Sequence, residues 1–322
     1  MSDIGGLLMQ YIDSNNSTYN KESHQVGFTL IELMISLVLG LLISAAIIQV
    51  YIINTRTLTV QQSASEVQDS SIFALQSLEE HFRLANLGNP ITSINSTTDH
   101  GGIVLTPTNL GTGNTTEAKY LTTTASAGAL SNTNTASDQL TIQYKNVTPN
   151  DIFDCEGGKV EDASEWVVER YFVRLATGAS TTATTKDLVL ACAAGRVAND
   201  GTVTTAFTGN GEVIVPAVDQ FQILLGVQTD VTQSTYISPT TYLTLSDKPP
   251  ITTVKFGVIV RSTTPLITST DNDSFQIFGI DQTLKTDTTR TKYYRRSYES
   301  TVLLRNARMM AVVATQPKLA GS

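Results

Sequence analysis

From Phe28 to Ile53 the chain is almost wholly apolar, and the polar residues within that stretch are Thr29, Glu32, Ser36, Ser44 and Gln49. As a helix rising about 1.5 Å per residue, the stretch crosses a hydrocarbon core of roughly 30 Å. Its single charge, Glu32, costs at least a few kcal/mol if left unpaired in lipid. A plain membrane anchor has no use for such a carboxylate. A secretory signal is excluded as well, because the run is too long and no small-residue cleavage site follows it.

The residues at its head are Gly27-Phe28-Thr29-Leu30-Ile31-Glu32. This segment resembles the processing signal of type IV prepilins: a polar leader, a Gly, then an aromatic, a Glu and a continuous apolar helix. The resemblance implies that prepilin peptidase cuts between Gly27 and Phe28 and methylates the new amine of Phe28. It also implies that Glu32 attracts the N-terminal amine of a neighbouring subunit during assembly. The spacing is physically apt, since Glu32 lies one turn along the same helix face, near the positive end of the helix dipole. The leader itself departs from the usual pattern. It carries Lys21 against Asp3, Asp13 and Glu22, so it lacks the basic excess expected on the cytoplasmic side, and a start at Met9 leaves it acidic.

Beyond Ile53, apolar or small residues recur at Val60, Ala64, Val67, Ser71, Ala74, Leu78, Phe82 and Ala85, with Gln61, Glu66, Asp69, Glu79 and Arg83 off that stripe. The period predicts one amphipathic helix with a single face for burial, stopped by Gly88-Asn89-Pro90. The chain divides into a leader over 1–27, a membrane and assembly helix over 28–53, an amphipathic continuation over 54–87 and a head over 88–322.

Composition fits an exported head. Charged residues are 16% of the chain and the net charge is −8, or −6 once the one basic and three acidic residues of the leader are set aside. An acidic surface disfavours nucleic acid as a general partner. Ile91–Ser137 and Ser262–Thr289 are rich in Thr, Ser and Asn and read as long decorated loops. Strand-like runs occupy Gln139–Lys145, Trp166–Arg174, Asp187–Ala193, Glu212–Thr229, Ile251–Arg261 and Tyr293–Arg305, with Pro216 dividing the longest. The expected fold is α+β and pilin-like: a long N-terminal helix, half membrane and half amphipathic, packed on an antiparallel strand-rich head.

The chain has two cysteines, Cys155 and Cys192. Neither C-x-x-C spacing nor neighbouring ligands suggest zinc or redox chemistry, and export places both where a disulfide forms. Asp154-Cys155-Glu156-Gly157, Tyr171-Phe172-Val173 and Leu188-Val189-Leu190-Ala191-Cys192 are similar to the middle of PilW-type minor pilins. Val218 to Val227, Arg295 to Asn306 and Leu84 to Pro90 extend that similarity over most of the chain from residue 27 onward. The resemblance implies a structural protein of the inner membrane that helps prime type IV pili and sits at or near the tip. Its partners would be prepilin peptidase, other minor pilins, the major pilin and a tip adhesin, in the service of adhesion, twitching motility or DNA uptake. A J-type pseudopilin of type II secretion and a membrane-anchored DNA receptor or adhesin are the alternatives.

Catalytic signals are thin. His24, His81 and His100 are scattered, there is no G-x-S-x-G elbow, and no phosphate-binding loop or cofactor motif occurs. Asp271-Asn272-Asp273 opens like a calcium loop without its Gly and distant Glu. Arg290, Lys292, Arg295, Arg296, Arg305 and Arg308, interleaved with Tyr293, Tyr294 and Tyr298, form the basic–aromatic run. It could touch DNA, but Arg295 and Arg296 must face opposite sides of a strand, and a charged edge strand is the favoured reading.

Overall fold

The computed structural model describes residues 27–125, 130–160, 163–230, 233–267 and 272–307. The chain falls into two compact units, Met1–Ile53 and Asn54–Ser322.

In the first unit the chain enters helix α1, which runs Leu30–Leu84 and so continues into the second unit. The apolar side chains from Phe28 to Ile53 are exposed, and by length and composition this part of α1 can cross a membrane.

In the second unit the same helix buries Ser63, Val67, Ser71, Ala74, Leu78 and Phe82, and Ala85 follows. The stripe expected from the sequence holds from Val67 onward. Before it, Ser63 takes the buried position while Val60 and Ala64 are only half-buried. Ser63 Oγ donates to Thr264 O at 3.5 Å, so a polar group closes this end of the seam. Phe82 meets the rings of Tyr171 and Phe256 edge-on at 4.9 and 5.2 Å, an arrangement favoured by the ring quadrupoles.

The strands follow as β1 (Leu140–Tyr144), β2 (Ile152–Phe153), β3 (Lys159–Val160), β4 (Glu165–Leu175), β5 (Leu188–Ala198), β6 (Val203–Thr205), β7 (Glu212–Val215), β8 (Val218–Asp230) and β9 (Gln233–Ile237). A short helix α2 (Pro239–Thr244) precedes β10 (Ile251–Pro265), β11 (Ser274–Ile277), β12 (Ile280–Thr283) and β13 (Tyr293–Leu303). One antiparallel sheet has the order β1-β4-β5-β6, with β7 also on β5, and a second has the order β13-β10-β8-β9. Pro216 does divide the long run, separating β7 from β8.

The alternation of side chains explains the layers. Val167, Tyr171 and Val173 of β4, Phe221, Ile223 and Leu225 of β8, and Val254, Phe256 and Val258 of β10 share one core with the α1 stripe. Trp166 and Val168 point the other way and form a second core with Val104, Leu110, Leu121, Val197 and Phe207. On the second sheet, Ile259 packs with Phe275, Ile277 and Leu284 beneath the β11–β12 hairpin.

Two expectations fail here. Ile91–Ser137 is no decoration, because Ile94, Ile103 and Leu105 within it are buried in the main core, while Val104, Leu110 and Leu121 cover the outer face of the first sheet. Its Thr and Asn residues serve as backbone partners: Asn109 Nδ2 donates to Asn95 O and Thr98 O, and Thr122 Oγ1 donates to Thr141 O while accepting from Thr141 N. Ser262–Thr289 likewise contains the β11–β12 hairpin. The missed signal was Trp166-Val167-Val168, an apolar run without alternation, which marks a sheet covered on both faces.

The helix end is tied by three asparagines. Asn86 has a left-handed backbone, with φ of 67°, which turns the chain out of α1. Its Nδ2 donates to Ile91 O and Asn306 O, and its Oδ1 accepts from Gly102 N. Asn306 Nδ2 returns bonds to Asn86 O and Asn89 O at 2.6 and 3.0 Å. Gly102 is required there, since a Cβ would lie 2.2 Å from Asn86 N.

Helix and sheet also meet at a buried carboxylate. Glu169 accepts from Tyr144 Oη (2.9 Å), Tyr171 Oη (2.8 Å) and Cys155 N (2.9 Å), and faces His81 Nδ1 of α1 at 3.0 Å. Burial disfavours the His81 cation, but the hydrogen bond and charge of Glu169 outweigh it, so its pKa is raised. The sign follows from linkage. The contribution of His81 is full below about pH 6.5 and is lost as pH rises through the raised folded value. In a fragment beginning at Asn54, His81→Gln should lower stability at pH 6 and flatten the loss of stability between pH 6 and 8.5, as read by denaturant unfolding. An unchanged pH profile would exclude this pair.

Cys155, in the turn between β2 and β3, is disulfide-bonded to Cys192 of β5. Closing this loop contributes about 4 kcal/mol on the chain-entropy account. Changing both cysteines to Ser should therefore lower the unfolding free energy by a few kcal/mol and leave any function that needs only a folded head intact.

Candidate functional site

At the start of α1, Thr29 and Glu32 form a reciprocal capping box. Thr29 N and Thr29 Oγ1 donate to Glu32 Oε2 at 3.0 and 2.8 Å, and Glu32 N donates back to Thr29 Oγ1 at 3.4 Å. Leu33 N donates to Thr29 O at 3.2 Å, which makes Thr29 the N-cap. The sequence reading placed Glu32 one turn from Phe28 but missed this box, although T-x-x-E is its signature. Phe28 is 89% exposed and a Cβ on Gly27 would meet nothing within 4 Å. Residues 1–26 of the leader, including Lys21 and His24, lie outside the described residues.

The box has a physical consequence for the carboxylate. Both Thr29 donors go to Oε2, so Oε1 remains for a second partner. Replacing Thr29 with Ala would remove the Oγ1 donor to Glu32 and the acceptor for Glu32 N, while the amide of residue 29 and the dipole of α1 still favour an anion at this end.

On the head-docking part of α1, two acidic residues off the stripe are engaged rather than simply solvated. Glu66 accepts from Thr263 N (2.8 Å) and from Thr263 Oγ1, at the far end of β10. Burial pushes its pKa up, but the Thr263 and Thr264 hydrogen bonds prevail and hold it below its ordinary value. Glu79 accepts from Ser300 Oγ of β13 and pairs with Arg83.

The remaining candidates have structural roles. His100 stacks on Trp166 at 4.6 Å, accepts from Gln143 Nε2 at Nδ1 and so presents Nε2–H to Asn199 O at 3.1 Å. Cys155, Glu169 and Cys192 come close enough to hold a metal ion, but both sulfurs are in the disulfide and the carboxylate is already shared among four partners. Asp273 pairs with Arg290 rather than opening a calcium loop, and Asp271 lies outside the described residues. The basic–aromatic run is not one face. Arg295 is buried against Asp219 at 2.6 Å, whereas Arg296 is exposed beside the Tyr298 ring; Arg308 lies outside the described residues.

Two family models match the chain. The prokaryotic N-terminal methylation motif matches residues 23–48, which contain the Thr29–Glu32 box. The family model described as Type IV pilus-assembly protein W matches residues 170–306, from mid-β4 to the asparagine that ties the helix end. No curated protein matches the chain. Among solved structures, a type IV-like pilin from Thermus thermophilus, TTHA1219, is similar at 11% identity and a TM-score of 0.37. The match covers 75% of this chain and 98% of that chain, and is too slight to carry an argument. The chain is thus similar to Type IV pilus-assembly protein W over residues 170–306 and carries the prokaryotic N-terminal methylation motif on its apolar helix.

Proposed function

We propose that the protein is a minor pilin that helps to prime pilus assembly and occupies the pilus tip. In this reading, prepilin peptidase cuts between Gly27 and Phe28 and methylates the Phe28 amine. The precursor crosses the inner membrane once with its head in the periplasm, then joins other minor pilins, the major pilin and a tip adhesin. The observation that carries this reading is Glu32, a lone carboxylate near the head of an exposed apolar helix, with one oxygen held by Thr29.

The chemistry is charge neutralisation in lipid. A carboxylate and an amine are each expensive in a low-dielectric medium, and their attraction is strongest there. The Thr29 bonds to Oε2 fix the Glu32 side chain, and Oε1 receives the methylated amine of a neighbouring subunit. The box thereby sets the direction from which that amine approaches. No bond is made or broken in this role, and the family is a structural one.

The mature N-terminus should be methylated Phe28 by mass spectrometry in peptidase-competent cells; an intact leader would overturn the processing step. Glu32→Gln retains an acceptor for Thr29 but removes the charge, whereas Thr29→Ala removes the box and retains the charge. Co-purification with other pilins should fall sharply for Glu32→Gln and only partly for Thr29→Ala, with cleavage intact in both. Equal loss in both variants would make helix capping, rather than charge pairing, the role of Glu32.

Deletion should reduce the number of pili while leaving the composition of the remaining filaments nearly unchanged. Quantitative mass spectrometry of sheared pili decides the matter, since an abundance equal to the main pilin contradicts a tip position.

A further inference from the structure

The disulfide reaches α1 through a chain of direct contacts. Strands β2 and β3 pair only with each other among the described strands, so the turn between them is held to the head by other means. Cys155 of that turn is disulfide-bonded to Cys192 of β5, Asp154 Oδ2 accepts from Arg196 Nη2 at 2.6 Å, and Val160 of β3 is buried in the main core. From the turn, the Cys155 amide donates to Glu169 Oε1 at 2.9 Å, and the same oxygen lies 3.0 Å from His81 Nδ1 of α1. The sulfur bridge and the helix therefore meet on one buried carboxylate.

Charge alone does not keep the turn in place. It carries Asp154 and Glu156, and Glu212 of β7 stands opposite Cys192 in the β5–β7 register. Burial first, and then the charges of Asp154 and Glu212, push the Glu156 pKa up against the Ala194 amide and Arg196. These like charges oppose one another across the turn, and of the three carboxylates Arg196 is bonded to Asp154. The covalent bond holds the turn against that repulsion. Cys155 is half-buried while Cys192 has no exposed surface, so exchange with another thiol or disulfide proceeds at the Cys155 sulfur.

We propose that the Cys155–Cys192 disulfide is a redox-sensitive latch for α1. When it forms, two thiols give two electrons and two protons to a disulfide oxidant, which leaves as a dithiol. The new bond fixes the Cys155 amide on Glu169, and the carboxylate, so satisfied, holds His81 and the end of α1 against the sheet. In the reduced head that amide is tethered less closely and water enters beside Glu169. The last turns of α1, from Leu75 to Leu84, then open more often than the turns near Ser63 and Val67, which Ser63 and Glu66 hold on β10. Coupling of this kind is reciprocal, so a firmly seated helix also favours the oxidised form. As a control on assembly the latch rests on the role proposed for α1, but hydrogen exchange tests it apart from that role.

The test is hydrogen exchange read by mass spectrometry on the purified full-length chain in detergent, before and after reduction by a dithiol. On reduction, exchange over 75–84 should quicken about tenfold while exchange over 60–68 stays within about twofold. Equal quickening along the helix, an unchanged segment over 75–84 or unfolding of the whole reduced chain would each overturn the latch. His81→Gln supplies the second reading. It should shift the thiol–disulfide equilibrium about tenfold toward the dithiol in a redox buffer, and reduction should then add little to exchange over 75–84. An unshifted equilibrium, or effects of reduction and substitution that simply add, would show that the bridge and the helix are independent.

Discussion

A carboxylate with no exposed surface holds the head together. Glu169 sits on the core face of β4, where an unsatisfied charge would be strongly destabilising. It is tolerated because each lone pair is met: by Tyr144 from β1, by Tyr171 on its own strand, by the Cys155 amide from the disulfide-bonded turn and by His81 from α1. Four separate pieces of chain must be in place at once for that to hold. Removing a single partner exposes the others to the cost of a buried, incompletely paired ion, which is larger than the worth of any one bond. The interaction therefore specifies how the helix sits on the sheet more sharply than apolar packing could.

Around that point the layers follow from surface apportionment. The α1 stripe is narrow and made largely of small residues, so it can cover only one seam of the core. Both sheets carry apolar side chains on their outer faces too, and those faces need covers of their own. Residues from Val104 to Leu121 supply one cover and the β11–β12 hairpin supplies the other. The abundance of Thr and Asn is then a consequence of irregular backbone being buried, since every amide and carbonyl outside a ladder needs a partner. Asn109, Asn86 and Asn89 each bridge several such groups.

Much of this was legible in the sequence where apolar periodicity is strong. The strand runs from Gln139, Trp166, Asp187, Ile251 and Tyr293 correspond to β1, β4, β5, β10 and β13, and Pro216 breaks the ladder because it has no amide to donate. Strand β9 and helix α2 escaped notice because Gln233–Ile237 and Pro239–Thr244 are short and polar; β9 is held by its ladder with the preceding strand β8, and α2 is capped by Ser238. Residues 91–137 misled because polar composition usually reports exposure, and here it reports backbone satisfaction. The charged cavity lined by Lys186, Arg261, Arg290 and Arg295 together with Asp187 and Asp287 was half visible. Arg290, Tyr293 and Arg295 stood out as a run, but Lys186 and Arg261 join them only through the fold. Glu169 left a signal that went unread: a lone acid between Val167 and Tyr171, on the apolar side of a strand.

The asparagine tie has a consequence for the order in which the molecule can be made. Asn86 and Asn306 are 220 positions apart, yet each completes the hydrogen bonding of the other. When a chain emerges N-terminus first, α1 appears early and its final turn waits for nearly the whole head. At ordinary synthesis rates that interval is on the order of 10–40 s. Throughout it the stripe from Ser63 to Phe82 lacks its sheet, and so does the β-rich chain that follows. A stripe weighted toward Ser and Ala, with Leu78 and Phe82 only near its end, limits how adhesive the waiting helix is. The sequence of the helix is thus suited to the delay as well as to the finished fold.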